Sequence, residues 1–237
     1  MAIELIKTGV PGLDNVLKGG LRRNASILVT GAPGTGKTIL ALQFVYYGAK
    51  DFNEIGMFIT TEENHEDIKQ FARNLGMDIE SMESEGRIFL MQKPLIALKG
   101  GMSSMKGLLA LIKKHNIRRI ALDSMTFFEY LYSKFEINKT EYRRQVLMFM
   151  HELKKAQVTF MTVSERSVTD IDKLEYDMMD FVFEGFILLS RIRKGSYFER
   201  VLTVAKMRGQ DHSLDVYPVS IGIDGFKVLY DQTPFSL

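Results

Sequence analysis

Residues 31–38 read GAPGTGKT, a glycine-rich run that ends in a lysine and a threonine. Glycines let such a loop curl so that successive backbone N–H groups point inward at phosphate oxygens, and a following helix adds its positive N-terminal end. In this pattern the lysine reaches the β- and γ-phosphates and the hydroxyl ligates Mg²⁺. We therefore predict that ATP or ADP is held by Gly34, Thr35, Gly36, Lys37, Thr38 and Ile39, with Thr38 also a magnesium ligand.

The flanking residues favour this interpretation over a glycine turn without a ligand. The apolar segment SILVT precedes the loop and is typical of a buried strand, while ILALQFVYYGA follows it and is typical of a helix. The glycine order is G-x-x-G-x-G, which disfavours the G-x-G-x-x-G loop of dinucleotide-binding proteins.

Acidic residues end two further apolar segments. RRIALDS closes on Asp123, at the kind of position where P-loop enzymes hold Mg²⁺, although an aspartate there can also cap a helix or form a turn. MFITTEE ends in Glu62 and Glu63, either of which could polarise the attacking water. Because side chains alternate along a strand, we favour Glu62 with Glu63 in support. Alternatively, both glutamates only belong to the acidic start of the next helix, where negative charge interacts favourably with the helix dipole.

Two more segments carry polar residues at strand ends. VTFMTVSE ends in Ser164 and Glu165, and a γ-phosphate sensor and a plain strand terminus are equally consistent with it. Lys206 and Arg208 are two residues apart in KMRG and are expected to project from one face of a strand. Such a cationic face suits phosphate, but the spacing alone favours a solvated strand edge.

These residues need a scaffold that brings strand ends together. Apolar segments predict strands over 26–30, 56–61, 87–92, 118–123 and 158–164, and amphipathic segments predict helices near 36–49, 65–76, 102–115 and 138–157. This alternation predicts an α/β fold with a mostly parallel central sheet flanked by helices. The last third predicts antiparallel β-hairpins, added at one edge of the sheet, over 183–193, 197–207 and 216–230.

Composition narrows the classes of function. The chain has 237 residues, of which 46% are hydrophobic, and no repeat, low-complexity tract or linker is evident, so we expect one domain over 1–237. The absence of cysteine excludes disulfides and thiolate chemistry. The four histidines lack metal-ligand spacing. No apolar run is long enough for a membrane span, and we expect a cytoplasmic protein without a membrane partner.

Charge is balanced overall but unevenly distributed. The net charge of +2 does not point to nucleic acid. However, residues 51–85 contain ten acids, while residues 86–122 contain eight Lys or Arg and no acid. This pattern is typical of two solvated faces, with a basic patch for an anionic partner as the alternative.

In combination and order, these motifs resemble the KaiC family of RecA-superfamily ATPases across nearly the whole chain. The similarity includes KTGVPGLDNVLKGGL at 7–21, the phosphate loop, TTEEN at 60–64, RRIALDS, the VSER segment ending at Arg166, and KMRGQDH at 206–212. The resemblance implies a RecA-like P-loop domain that forms hexameric rings with ATP between neighbours. It also implies that Glu62 is the water-activating base and that Lys206, Arg208 and His212 reach the neighbour's nucleotide.

The chain departs from the clock protein of that family in two respects. It has one such ATPase domain instead of two fused ones. The place corresponding to the autophosphorylated Ser-Thr pair reads YDMMDFVFEG, without Ser or Thr from Tyr176 to Gly185. We therefore favour ATP hydrolysis over autokinase activity and expect the nucleotide state to control an unknown protein partner.

Two other functions remain open at this level. A recombinase-like, single-stranded-DNA-binding ATPase would use the basic region 87–119, which includes Lys113, Lys114, Arg118 and Arg119, but the chain lacks a helix-hairpin-helix module and a strongly basic charge. A nucleotide-dependent scaffold would bind ATP with negligible turnover.

Overall fold

The computed structural model describes residues 4–92, 102–125, 138–166 and 178–234. A small antiparallel pair comes first, β1 (Leu5–Ile6) and β2 (Leu21–Arg22), with helix α1 (Leu13–Val16) between its strands. The main strands are β3 (Ser26–Gly31), β4 (Gly56–Thr60), β5 (Ile88–Gln92), β6 (Arg119–Asp123), β7 (Thr159–Glu165), β8 (Gly185–Lys194), β9 (Tyr197–Met207), β10 (Val216–Gly222) and β11 (Gly225–Val228). The longer helices are α2 (Lys37–Phe52), α3 (His65–Asn74), α4 (Ile79–Ser84), α5 (Met102–His115) and α6 (Lys139–Lys155), and a 3₁₀ turn spans Met178–Phe181.

Within these residues the nine main strands form one sheet in the order β11-β10-β9-β8-β3-β7-β6-β4-β5. The six strands from β8 to β5 in that order are parallel, and β9, β10 and β11 continue the sheet antiparallel. The predicted α/β class and the antiparallel C-terminal strands are confirmed. One detail differs: β8 is itself parallel to β3, so the antiparallel part begins only at β9.

The central parallel strand β3 is buried on both faces, and its consecutive residues Ile27, Leu28 and Val29 are all apolar. In β3, Ile27 and Val29 pack in one hydrophobic layer with Phe44 of α2, while Leu28 packs in the opposite layer with Phe160 of β7. Burial on both faces is the usual condition of a parallel sheet. The doubly apolar sequence of β3 therefore selects its central place.

Short elements were not predicted from the sequence. Helix α4 has only six residues, and its N-cap Asp78 accepts a hydrogen bond from the Ser81 N–H. Helix α3 is capped in the same way by Asn64, which accepts from the Asp67 N–H. Such caps stabilise the first turn of a helix, and α4, unlike the predicted helix α3, is too short to show a clear apolar period.

Arg119 ties the strand β6 to α2 and to the N-terminal segment. Its side chain is 0% exposed and pairs with Glu54 at 2.6 Å. It also donates to the carbonyls of Lys7 (2.7 Å), Thr8 (3.0 Å) and Phe44 (3.1 Å). The expectation that Arg119 belongs to an accessible basic region is therefore wrong, because its donors are used inside the protein.

Across the described ranges, we find no helix that combines the length and apolarity needed to cross a bilayer.

Candidate nucleotide site

The phosphate loop connects the central strand β3 to the start of α2. Gly34 and Gly36 have positive φ angles of 78° and 103°, a conformation that glycine adopts without strain. Lys37 is only 8% exposed, and its Nζ donates to the carbonyls of Gly31 (2.9 Å) and Ala32 (3.1 Å). The loop thus folds back over its own lysine at the N-terminal end of α2.

Burial lowers the pKa of Lys37, although the nearby carboxylates of Glu165 and Asp123 act in the opposite direction. A desolvated ammonium group lacks the hydration that stabilises its charge. Lys37 is therefore a cation that an incoming phosphate would stabilise.

Asp123 lies where the sequence predicts it, at the carboxyl end of β6 and next to the phosphate loop. In the sheet register it lies beside Thr60 on one side and Val163 on the other. Thr38 hydrogen-bonds its carboxylate, so the two predicted magnesium ligands are in direct contact. Burial raises the pKa of Asp123, and the charges of Glu62 and Glu165 add to this, against the opposing effects of Thr38 and Lys37.

Thr61 fixes the backbone at this point, a role that sequence reasoning missed. Its N–H and its hydroxyl both donate to the Asp123 carbonyl, at 2.8 Å and 3.2 Å. Its hydroxyl oxygen also accepts from the Ser124 N–H at 3.1 Å. The paired threonines of TTEEN were the available signal, because hydroxyls commonly tie loops to neighbouring backbone.

Glu62 and Glu63 lie on the loop between β4 and the N-cap Asn64. Strand β4 ends at Thr60, so the argument from alternation along a strand does not apply to this pair. Both residues are exposed. Burial of the Glu63 carboxyl group nonetheless raises its pKa, and the charges of Asp123, Asp67 and Glu62 contribute. The choice of Glu62 over Glu63 stays a prediction.

Glu165 brings a further carboxylate to the same edge. It lies beside Gly31 in the register of β7 and β3, and its charge acts on both Lys37 and Asp123. Ser164 is buried, and its carbonyl accepts from the Thr30 hydroxyl at 3.2 Å. A γ-phosphate sensor at these two residues stays a prediction.

Lys206 and Arg208 lie toward the opposite end of the strands from the phosphate loop. Lys206 is opposite Phe186 at the beginning of β8, and Arg208 follows the last residue of β9. Lys206 Nζ donates to the Asp180 carbonyl at 2.5 Å, and Arg208 donates to the Phe181 carbonyl at 2.9 Å. Both thus bond the 178–181 turn, but Arg208 lies beyond β9, and their projection from one strand face stays a prediction. Their hairpin, however, is not at the sheet edge, since β10 and β11 lie outside β9.

His212 belongs to the same end of the molecule. Its Nδ1 lies 2.8 Å from the Ser213 carbonyl, and the Ser213 N–H donates to the Val16 carbonyl. Gln210 donates to the carbonyls of Leu17 and Gly20. The KMRGQDH segment is thereby held against the N-terminal segment and away from the phosphate loop of its own chain.

The donor set around Asp123 fits magnesium bound together with a nucleotide. No cluster of three or more His, Asp or Glu side chains forms a ready-made metal site in the described residues. Mg²⁺ is commonly bound through one or two carboxylates plus substrate phosphates, which agrees with a buried, hydroxyl-bonded Asp123. Loop, lysine and carboxylate are thus compatible with a magnesium nucleotide.

The central place of β3, the loop that follows it and the antiparallel C-terminal strands define a RecA-like P-loop domain. The chain belongs to the KaiC ATPase family, whose model matches residues 6–233. It is 32% identical to the circadian clock oscillator protein KaiC of Prochlorococcus marinus subsp. pastoris over 236 residues, which is 96% of this chain and 45% of that protein. The corresponding protein of a Picosynechococcus species is 29% identical over 233 residues, 95% of this chain and 44% of the relative.

The fold is also similar to a solved structure. A KaiC-like protein from the hyperthermophilic archaeon Pyrococcus horikoshii OT3 superposes with a TM-score of 0.82 at 29% sequence identity, covering 96% of this chain and 99% of that one. The chain spans about half the length of the clock proteins it matches. It has nearly the full extent of the archaeal structure.

Proposed function

We propose that this protein binds ATP with magnesium at residues 34–39 and hydrolyses it within a homo-oligomeric ring of six subunits, in which each site is completed by the neighbouring subunit. The neighbour supplies Lys206, Arg208 and His212. The observation that carries this proposal is the distance between the phosphate loop and the pair Lys206 and Arg208, which lie toward opposite ends of the strands of one sheet.

The separation follows from the strand register. Phe186 lies opposite Lys206 and beside Leu28, which is three residues before Gly31. With about 3.3 Å per residue and about 4.8 Å between strands, the backbones of Lys206 and Gly31 are roughly 14 Å apart, and that of Arg208 is roughly 19 Å from Gly31. Both side chains donate to carbonyls of the 178–181 turn. This distance supports a role for both cations at a nucleotide held by another copy.

Within one subunit, the loop N–H groups and Lys37 bind the phosphates. Thr38 and Asp123 hold magnesium, which when bound neutralises charge that develops on the phosphates. Glu62 orients the attacking water and accepts its proton, with Glu63 as the alternative base. Thr61 keeps this loop against Asp123. Lys206 and Arg208 of the neighbour add positive charge at the transferring phosphoryl group.

We further propose that residues 1–237 act as one such domain and that the nucleotide state regulates binding of a protein partner. The matched relatives are circadian clock oscillator proteins. The absence of Ser or Thr over 176–185 disfavours autokinase activity here.

The recombinase-like alternative has lost part of its support. Arg119 is buried, and Arg118 donates to Gln157 at 3.1 Å. Arg87 bonds the Ala49 carbonyl and lies 3.5 Å from Glu85. Three of the cations in the basic region are thus engaged within the subunit, which leaves less of it for a phosphate backbone.

The proposal is tested by mixing two inactive variants. Glu62→Gln removes the base but keeps Lys206 and Arg208. Arg208→Ala removes one of these two cations but keeps the base. Each alone should lose turnover, by at least about 10²-fold for a general base and by about 10³- to 10⁵-fold for an arginine supplied in trans. In random equal mixtures about one quarter of head-to-tail interfaces join an intact Glu62 to an intact Arg208, so about a quarter of wild-type activity should return.

Controls identify each outcome. Subunit exchange is followed by fluorescence energy transfer between labelled copies, and mass in solution is measured with and without ATP and Mg²⁺. No recovery despite exchange would show that Arg208 does not act across an interface. Wild-type rings without turnover would instead favour the scaffold, and stimulation of turnover by single-stranded DNA would favour the recombinase.

A further inference from the structure

A buried ion pair lies between the phosphate loop and the two cations proposed to act on the neighbouring subunit, Lys206 and Arg208. Arg166 binds Asp180 with two hydrogen bonds of 2.9 Å each, one to each carboxylate oxygen. Asp180 is 1% exposed and the Arg166 side chain 22%. The Arg166 guanidinium also lies 5.6 Å from the ring centroid of Phe186. A bidentate ion pair of this kind fixes the relative orientation of its two side chains as well as the distance between them.

One end of this pair is fixed to the nucleotide site. Arg166 follows the last residue of β7, and its backbone N–H donates to the Gly31 carbonyl at 3.1 Å. The same carbonyl accepts from Lys37 Nζ. The position of Arg166 is therefore set by the first residue of the phosphate loop.

The other end holds the cations. The Asp180 side chain binds Arg166, while the Asp180 backbone carbonyl accepts from Lys206 and the next carbonyl, of Phe181, accepts from Arg208. The Lys206 ammonium also lies 5.9 Å from the ring of Phe181. Orientation of the 178–181 turn thus decides where both cations are held.

We propose that Arg166 and Asp180 are positioning residues for the reaction in the neighbouring subunit: their ion pair orients the turn from which Lys206 and Arg208 are presented. This inference rests on the proposed function, because it requires the two cations to act across an interface. Both residues are assigned a positioning role only, without contact to the nucleotide and without a part in proton transfer.

Burial of the pair makes its loss specific and measurable. Asp180→Asn keeps the size of the side chain but removes the negative charge that binds both terminal nitrogens of the Arg166 guanidinium. A shift of about 1 Å in a catalytic group can cost about 10²-fold in rate, so kcat should fall by about 10²-fold. Nucleotide affinity should change less than about twofold, since Lys37, Thr38 and Asp123 are untouched.

The matched control is Glu184→Gln. Glu184 lies just after the same turn, and its largely buried carboxylate also forms ion pairs, with Arg22 at 2.5 Å and Lys154 at 2.7 Å. Its carboxylate bonds Arg22, Lys154 and the Ser26 N–H, and its link to Arg208 is made by the backbone carbonyl, which the substitution leaves in place. A general weakening of this edge would therefore lower kcat in both variants, whereas a positioning role lowers it in Asp180→Asn alone.

Mixed rings identify the subunit in which Asp180 acts. Asp180→Asn mixed with Glu62→Gln should regain activity, because some interfaces join an intact base to correctly held cations. Asp180→Asn mixed with Arg208→Ala should regain none, because every interface then lacks them. The mixture of Arg208→Ala with Glu62→Gln runs in parallel and tests the proposed function by itself.

Recovery with Arg208→Ala but not with Glu62→Gln would overturn the inference, since Asp180 would then serve its own site. So would a kcat within about threefold of wild type, well short of the loss expected for displaced groups. If Asp180→Asn does not fold, Arg166→Lys keeps the buried charge but not the fork, and the same mixtures apply to it. If the parallel mixture fails, the proposed function is wrong; if it succeeds while Asp180→Asn with Glu62→Gln fails, only this inference is wrong.

Discussion

Replacement of Arg119 by methionine should destabilise the protein strongly although the residue is remote from the nucleotide. The guanidinium is enclosed by Glu54, by three backbone carbonyls and by the rings of Phe44 and Phe52, whose centroids lie 4.8 Å and 5.4 Å from its carbon. Burial lowers the pKa of Arg119, and Glu54 opposes this shift. Methionine fills the volume but supplies no donor.

The size of the effect follows from what is left behind. Removing one partner of a buried ion pair costs about 3–5 kcal/mol. Glu54 keeps a second partner, Arg23, at 3.1 Å, so the lower part of this range, about 3–4 kcal/mol, is expected. For a chain of this length each kcal/mol shifts the melting temperature by about 2–4 °C, which gives a decrease of about 6–16 °C.

The measurement is thermal unfolding by circular dichroism, with urea titration for the free energy of unfolding. Arg118→Met is the matched control, because Arg118 is next in the chain and donates at the surface to Gln157; it should change stability by less than about 0.5 kcal/mol. A decrease below about 3 °C for Arg119→Met, or equal decreases in both variants, would refute the argument, since a lost buried pair must exceed that value.

The remaining predictions concern the site. Lys37→Met should abolish measurable ATP binding in calorimetry, yet the ligand-free variant should melt no lower than wild type, because burial lowers the pKa of Lys37 and its charged form therefore costs stability below that pKa. Glu62→Gln should bind ATP with unchanged affinity and lose turnover by at least about 10²-fold; loss in Glu63→Gln alone would reverse the assignment. Magnesium-dependent nucleotide affinity should fall on acidification, starting above the usual aspartate range because the pKa of Asp123 is raised. Glu165→Gln should move that fall to lower pH, and an unmoved midpoint in a pH series of titrations would contradict it.

Much of the architecture could be predicted because it depends on local patterns. Doubly apolar strands identified the parallel sheet, and each main strand and long helix predicted up to 207 ends within three residues of its observed limit. The phosphate loop and Asp123 are likewise local features, since a motif and a strand end mark them. Residues 216–230 contain two antiparallel strands, β10 and β11, which agrees with the predicted hairpin.

What could not be predicted depends on contacts distant in sequence. Arg119 reads as one of a basic run, and only the packing of α2 and Lys7 around it shows that it is internal. The Arg166–Asp180 pair joins residues 14 positions apart in a register that no periodicity specifies. The alternation argument for Glu62 does not apply because β4 ends at Thr60 and both glutamates lie on the loop that follows.

If Lys206 and Arg208 act on the neighbouring subunit as we propose, their distance from the phosphate loop of their own chain gives the assembly a direction. In the proposed head-to-tail contact two different surfaces meet, so an open chain always leaves one nucleotide without cations and one set of cations without a nucleotide. The number of competent sites in an open chain is therefore one fewer than the number of subunits, and only closure makes the two numbers equal. Activity per subunit should then rise with oligomer length and reach its maximum at ring closure, so turnover itself reports whether the circle is complete.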